Sequence, residues 1–519
     1  MSVVLHTHAP ELQARAEPLT AGARVGRNSF FQVAAQTSGK LAALALFLAL
    51  VRSLEREDVG RFTFALTYAG AFGLLTDWGA SLWLTREIAR RPADTVRWTR
   101  AALALRVVTF LLACAAGLAL AYVTRVPHEV WPPLLILMLA LLPDALGQTL
   151  NARLLGAERG AASAALLLCT DVLRLALVLV ALRGVGLPAT PLERVAAAYF
   201  VATVLAPATG GLIFLRKSPH TQSGARPESL LRDVRALARG ALPLLGVGLL
   251  VRLYLRSDTL LLFYLRGESD VALYNAAYKL MEAWLFLPAA FLGAVFPFLA
   301  RTHSPQEMSA PFRAACEESV RLLALLGVPL AAGTTLLAGP LMAWLYGPAY
   351  ADSVLYLQIL IWAAALIFWN ATLPAALNAT GHERASLGVL GAGLAFNLAG
   401  NLLLIPRCGA LGAALMTLLT EMLSTLLYVF FFRRLLFRSE WLQPVRRPAL
   451  ASAGMALVLL ALPSRFLPTQ AGVSFAAQAL LGAAAYVSLL ILLGEFKRRD
   501  VRLWRETFGL GRRTALKET

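Results

Sequence analysis

Ala101–Val123 reads AALALRVVTFLLACAAGLALAYV, and this stretch decides the fold class. A helix rises about 1.5 Å per residue, so about 20 apolar residues cross the hydrocarbon of a bilayer. Leu41–Val51 and Leu450–Leu462, with their flanks, are blocks of the same kind. The chain has 519 residues, is 58% hydrophobic and has a mean hydropathy of +0.65. A soluble globular chain is about 45–50% apolar. Many such blocks joined by short polar loops leave little chain for soluble domains. The reading is an all-α polytopic membrane protein, with its machinery inside the bilayer.

Working outward from that block gives fourteen candidate spans. They lie at 28–51, 62–84, 101–123, 131–153, 161–182, 194–215, 241–265, 271–299, 320–345, 353–378, 385–405, 410–432, 449–467 and 474–494. Pro463 interrupts the thirteenth, and the ninth carries Pro329 and Pro340. Prolines within spans are tolerated in membranes and often mark kinks. The longest internal loop holds Pro219, Ser223, Gly224 and Pro227, and reads as a linker between two six-helix halves. The expected division is a tail over 1–27, a first lobe over 28–215, a linker over 216–240 and a second lobe over 241–432. A loop over 433–448, two further spans over 449–494 and a tail over 495–519 follow. Spans two and eight occupy corresponding places and open alike, at Gly60-Arg61-Phe62 and at Asp270–Tyr274. Internal repeats of this kind occur in transporters.

Lys and Arg set the orientation. With the N-terminus in the cytoplasm, the inner loops hold twenty-one of them, including Arg86, Arg90, Arg97, Arg216, Arg433 and Arg434. The outer loops hold nine, including Arg52, Arg61, Arg125 and Arg266. Lys497, Arg498, Arg499, Arg502 and Arg505 place the C-terminal tail inside as well. No apolar h-region occurs in the first 27 residues, so no cleavable signal is expected there.

The net charge of +18 is that of basic loops, and no nucleic-acid partner is expected. Cys114, Cys169, Cys316 and Cys408 are far apart and form no CxxC pair, so neither a metal nor a disulfide framework is expected. His6, His8, His128, His220, His303 and His382 all fall in tails or loops, which disfavours a membrane acyltransferase. No G-x-x-x-x-G-K-[ST] motif occurs. Transport without covalent chemistry, catalytic residues or a cofactor is the simplest reading.

Ionisable residues inside spans are expensive, so they should face a partner or a wet cavity. Lys40 lies about 18 Å deep in span one, and Arg252 about 16 Å deep in span seven. Lys279 and Glu282 sit about 12 and 16 Å into span eight; three residues apart, they read first as a self-neutralising pair on one helix, with a coupling site for protons or cations as the alternative. Asp144, Asp171 with Arg174, and Glu421 are also near mid-depth, while Asp77 lies closer to the cytoplasm; the spacing of Asp171 and Arg174 reads as a self-neutralising pair. Arg252 and Arg256 are four residues apart and share a helix face. Two guanidiniums there suit a phosphate group, because Arg binds phosphate bidentately. The competing reading pairs Arg256 with Asp258 or has it snorkel to the outer interface. The expected substrate-binding cations are therefore Lys40, Arg252, Arg256 and Lys279. Glu282, Asp144 and Glu421 are the candidate coupling residues. Asn397 and Asn401 read as interhelical hydrogen-bond glue.

Four stretches carry a family resemblance. The first joins Arg27–Lys40 (RNSFFQVAAQTSGK) to Leu54–Tyr68 (LEREDVGRFTFALTY). The second is Leu75–Arg90 (LTDWGASLWLTREIAR), and the third is Asp258–Arg301. The fourth joins Trp344–Leu360 to Pro374–Thr417. Spread over 27–432, they resemble the polysaccharide-biosynthesis branch of the multidrug/oligosaccharidyl-lipid/polysaccharide exporter superfamily. The resemblance implies two six-helix lobes around a central cavity, plus two C-terminal helices. It implies a flippase for polyprenyl-diphosphate-linked oligosaccharide in the bacterial inner membrane. Membrane lipids and polysaccharide polymerase or export proteins are the implied partners. The alternatives are a multidrug/cation antiporter of the same superfamily and a membrane polysaccharide polymerase or ligase.

Overall fold

The structure is a computed structural model that describes residues 9–184, 189–215, 229–302, 309–437, 443–461 and 470–495. His6, His8, His220 and His303 lie outside the described residues, as do 216–228 of the linker, Pro463 and the C-terminal tail cations.

Among the described residues the regular structure is helical. The chain runs α1 (Ala9–Ser53), α2 (Arg56–Asp77), α3 (Ala80–Arg90), α4 (Thr95–Val123), α5 (Trp131–Leu139), α6 (Leu141–Gly156), α7 (Gly160–Leu182), α8 (Pro191–Leu215) and α9 (Leu230–Arg266). It continues with α10 (Glu268–Trp284), α11 (Phe286–Thr302), α12 (Ala310–Tyr346), α13 (Ser353–Asn370), α14 (Thr372–Ala379), α15 (Glu383–Cys408), α16 (Ala410–Leu435), α17 (Gln443–Ala461) and α18 (Ala471–Leu492). Helices are what lipid demands, because each backbone polar group finds its partner within the segment. Leu111, Leu112, Leu457, Leu460 and Leu480 point outward and exposed, as side chains that meet lipid do.

Four expected spans are each built from two helices: α2–α3, α5–α6, α10–α11 and α13–α14. Counted so, the described chain has fourteen membrane segments, in the expected order. Eleven are long and apolar enough to cross a membrane by length and composition. Three of the breaks have one cause. α5 ends at Leu139, α10 at Trp284 and α13 at Asn370, each four residues before a proline (Pro143, Pro288, Pro374). A proline offers no N–H to the carbonyl four residues back, and its ring crowds that carbonyl. The fourth break is at Trp78 (φ 54°) and Gly79 (φ 72°), both left-handed. Gly79 tolerates that conformation. Trp78 is held in it by its indole Nε1, which donates to the Ala238 carbonyl at 3.3 Å. Pro329 and Pro340 break nothing: α12 runs through both. α1 begins at Ala9 and continues without a break into the first expected span.

The chain divides into two compact units. Unit 1 holds the described residues up to Ala294 together with Leu387–Met416; unit 2 holds Val295–Ser386 and those from Thr417 onward. In unit 1, Trp83, Leu84 and Ile88 of α3 pack with Trp98 and Leu105 of α4 and with Leu237 and Ala241 of α9. Beside this core, Arg97 Nε donates to both oxygens of Asp233 at 3.0 Å.

The start of α2 packs against the start of α10. Arg61 reaches Glu268 at 3.2 Å and Asp58 at 3.0 Å. Phe64 stacks on Phe263 with centroids 3.5 Å apart. Gly60 makes the approach feasible, because a Cβ there would fall on the Glu268 carbonyl oxygen, a backbone atom that cannot step aside. Gly60→Ala should therefore destabilise by about 1–3 kcal/mol, the usual cost of overpacking. A melting temperature of the purified variant equal to that of the wild type would refute this contact.

In unit 2, α12 is the hub. Phe312, Cys316 and Val320 pack with Leu373 and Ala376 of α14 and Phe432 of α16. Met455 and Leu459 of α17 and Tyr486 and Leu490 of α18 form a second cluster beside it. Tyr486 Oη donates to the Leu325 carbonyl at 2.9 Å. Glu495 receives Arg321 at 3.0 Å and Arg447 at 3.1 Å, which ties the ends of α17 and α18 to α12.

Candidate functional site

Unit 1 contains a cavity of about 790 Å³. Its walls are mostly apolar, with Ala43, Leu46, Ala69, Gly73 and Leu141 among them. Into this surface project four cations, Arg174, Arg252, Arg256 and Lys279, and three acids, Asp77, Asp144 and Asp171.

The helices fix who meets whom. On α9, Arg252 and Arg256 are one turn apart, as the sequence spacing requires. On α10, Lys279 and Glu282 are likewise neighbours. Glu282 bridges the two helices: Oε1 accepts from Arg256 Nη2 at 2.9 Å, and Oε2 accepts from Lys279 Nζ at 2.9 Å. Tyr278 adds its ring face to the Arg256 guanidinium, 5.5 Å from the centroid. Among the described residues Arg256 pairs with Glu282 and not, as the competing reading had it, with Asp258. Asp258 accepts instead from Tyr274 Oη at 2.8 Å and from Asn401 Nδ2 at 2.6 Å. Asn397 accepts from Ser257 and from Asn401. The two asparagines of α15 thus bond to α9, the interhelical role their spacing implied.

Arg252 differs from the other cations. Among the described residues it makes no ion pair; its Nε, like that of Arg174, is buried without a hydrogen-bond partner. Its guanidinium lies where a Cβ of residue 70 would be, so Gly70 of α2 makes its seat. Its electrostatic neighbours are Arg256, Tyr199, Asp144 and Glu282. Lys40 of α1 is half-buried and within electrostatic reach of Lys279 and Glu282.

A second group sits on α6, α7 and α8. Asp144 takes Arg174 at 2.9 Å and the Gln148 amide at 2.7 Å. Asp171 lies 3.7 Å from Arg174, and the Tyr199 ring covers the same guanidinium at 4.6 Å. Arg174 therefore works across helices rather than with Asp171 alone, as the sequence spacing had suggested. Glu421 is buried in unit 2, whereas the cavity belongs to unit 1.

Arg106 was missed. It is fully buried, with 0% exposure. Its guanidinium donates to Asp77, the Ala145 carbonyl and Thr149 Oγ1, and to Ser81 Oγ at 2.6 Å. The signal was present: an arginine six residues into span three, with an aspartate at the end of span two lacking a partner.

Charge is thus unevenly distributed. Around Glu282 stand Arg252, Arg256, Lys279 and Lys40, a clear cationic excess. Around Arg174 stand Asp144 and Asp171. Asp77 is cancelled by Arg106. Such an arrangement can hold a multiply charged anion near α9 and α10, because Arg and Lys bind phosphate oxygens strongly.

The sequence pattern of the family described as "Polysaccharide biosynthesis protein" matches residues 25–303. The chain is 26% identical over 364 residues to the EPS I polysaccharide export inner membrane protein EpsE of Ralstonia nicotianae, covering 68% of this chain and 80% of that one. It is 26% identical over 258 residues to the probable flippase AglR of Haloferax volcanii, covering 49% of this chain. That match spans about half of the Haloferax protein's length, 53%. Among solved structures, lipid II flippase MurJ in an inward closed conformation aligns with a TM-score of 0.69 at 12% identity, over 90% of this chain and 99% of that one. An inward-facing multidrug resistance MATE family transporter of the MOP superfamily aligns with a TM-score of 0.61 at 14% identity, over 76% of this chain and 94% of that one. The fold is accordingly that of MOP-superfamily transporters, in a multi-pass membrane protein.

Proposed function

We propose, from the premise that this chain belongs to the polysaccharide biosynthesis protein family, that it flips a polyprenyl-diphosphate-linked oligosaccharide across the bacterial inner membrane. The observation that carries this reading is Arg252, a guanidinium without an ion pair among the described residues, on the wall of a cavity between membrane-spanning helices. A diphosphate headgroup cannot cross hydrocarbon unaided. A site with surplus positive charge replaces its lost hydration with charge-assisted hydrogen bonds. Arg252 is its first contact, with Arg256 and Lys279 beside it and Lys40 adding long-range attraction. The polyprenyl tail stays in lipid.

Rocking of two lobes, 28–215 and 241–432, would expose the cavity to each side in turn. Both termini face the cytoplasm in this reading, as the bias in Lys and Arg requires. Glu282, Asp144 and Glu421 remain the candidates for coupling to an ion gradient. Polysaccharide polymerase or export proteins would receive the product. A cation antiporter of the same superfamily is less well supported, because its cavity should carry an acidic excess.

The test is depletion in the host, followed by leaflet-resolved detection of the glycan-linked lipid. Accumulation in the cytoplasmic leaflet is expected. Normal translocation with only shortened polysaccharide would overturn flipping in favour of polymerisation.

A further inference from the structure

We propose that Glu282 is an internal stand-in for the substrate's phosphate: it occupies Arg256 and Lys279 when the cavity is empty and is displaced when the anion binds. The inference rests on the anion-site reading above and specifies how that site is regulated.

The geometry points this way. Glu282 presents one oxygen to Arg256 and the other to Lys279, each at 2.9 Å. Two oxygens of one phosphate would make the same bridge. Arg256 and Lys279 line the cavity, whereas Glu282 is not among its lining residues. Glu282 is about as exposed as Arg256, 24% against 21%, so an anion in the cavity can compete with it for the two cations. Arg256 keeps the Tyr278 ring when the carboxylate leaves, so its position does not depend on Glu282 alone. Among the described residues Arg252, one turn along α9, makes no ion pair with a carboxylate.

The two arginines thus have different tasks. Arg252 is always ready and makes the first contact. Arg256 and Lys279 become available only against competition from Glu282, which limits how tightly the headgroup is held. That competition serves transport. A carrier that closes empty would otherwise bury Arg256, Lys279 and Lys40 near one another with no anion, and like charges gathered in low dielectric repel strongly. Glu282 offsets that repulsion on the empty stroke, and the substrate phosphate offsets it on the loaded stroke. Glu282 faces Arg256 from α9, Lys279 from its own helix and Lys40 from α1. All three are cations, so returning to its place is favourable once the anion departs.

The test uses the full chain in detergent with inorganic pyrophosphate as the probe, read by titration calorimetry. Glu282→Gln keeps the shape and removes the competing charge. It should tighten pyrophosphate binding roughly tenfold, while Arg252→Ala weakens it by a similar factor. Equal or weaker binding by folded Glu282→Gln, with Arg252→Ala still weakened, overturns the stand-in and leaves the anion site intact. Binding by no form of the protein overturns the anion site and this inference together. A wild-type measurement covers the case in which Glu282→Gln does not fold. Labelling of Glu282 by a hydrophobic carbodiimide, mapped by peptide mass, should rise on adding pyrophosphate. Protection of Glu282 by pyrophosphate overturns the displacement.

Discussion

Asp77→Ala should abolish accumulation of the folded protein, and Arg106→Met added to it should restore much of what was lost. Arg106 is completely buried, and Asp77 is the acid that meets it. Removing one partner of a buried ion pair leaves an uncompensated charge, at a cost of about 3–5 kcal/mol. Domain stabilities are about 5–15 kcal/mol, so this is a large share. Replacing both partners by apolar groups removes the stranded charge, and such replacements are often neutral. The pair also joins elements: α2 supplies Asp77, α3 supplies Ser81, α4 supplies Arg106, and α6 supplies Thr149 and the Ala145 carbonyl. These meet beside the Trp78–Gly79 break, so the network fixes how α3 leaves α2. A double-mutant cycle on melting temperature and membrane abundance reads the coupling. If Asp77→Ala and Arg106→Met each cost less than about 1 kcal/mol and simply add, the pair is not a structural lock.

That network shows where sequence reading reaches its limit. Ala101–Val123 identifies a membrane span because apolarity over that length has one reading. The same apolarity hides Arg106, whose meaning depends on a partner twenty-nine residues away in the chain. Periodicity places side chains on a face of one helix. It cannot say which other helix that face meets. Arg252 and Arg256 were legible as neighbours, but the division of labour between them was not. Glu282 lies on a different helix from either, and only the fold brings it to Arg256. Asp258 lies two residues from Arg256 in the chain and nevertheless turns to Tyr274 and Asn401. The broken spans follow the same logic. Pro143, Pro288 and Pro374 end a helix four residues earlier, while Pro329 and Pro340 sit within an unbroken α12. A proline makes a break available; packing around it decides whether the break is used.

Arg252→Ala should leave the protein folded and lower flipping roughly 10- to 100-fold at limiting lipid. The two halves of that expectation have one origin. Among the described residues Arg252 has no ion pair, so its removal strands no acid, unlike the removal of Asp77. Stability should stay level or rise, because a partly desolvated unpaired charge costs free energy. Function should fall, because a hydrogen bond to a charged group contributes about 1.5–3 kcal/mol. Arg252→Lys should fall between, keeping the charge and losing the planar fork that fits two phosphate oxygens. Gly70→Ala should resemble a mild Arg252 variant, since its Cβ would displace the guanidinium without changing any charge. Flipping of a diphosphate-linked lipid in proteoliposomes, alongside melting temperature, separates these effects. Wild-type flipping by Arg252→Ala at normal abundance would remove Arg252 from the transport site. A melting temperature that drops as far as that of Asp77→Ala would make Arg252 a structural residue instead.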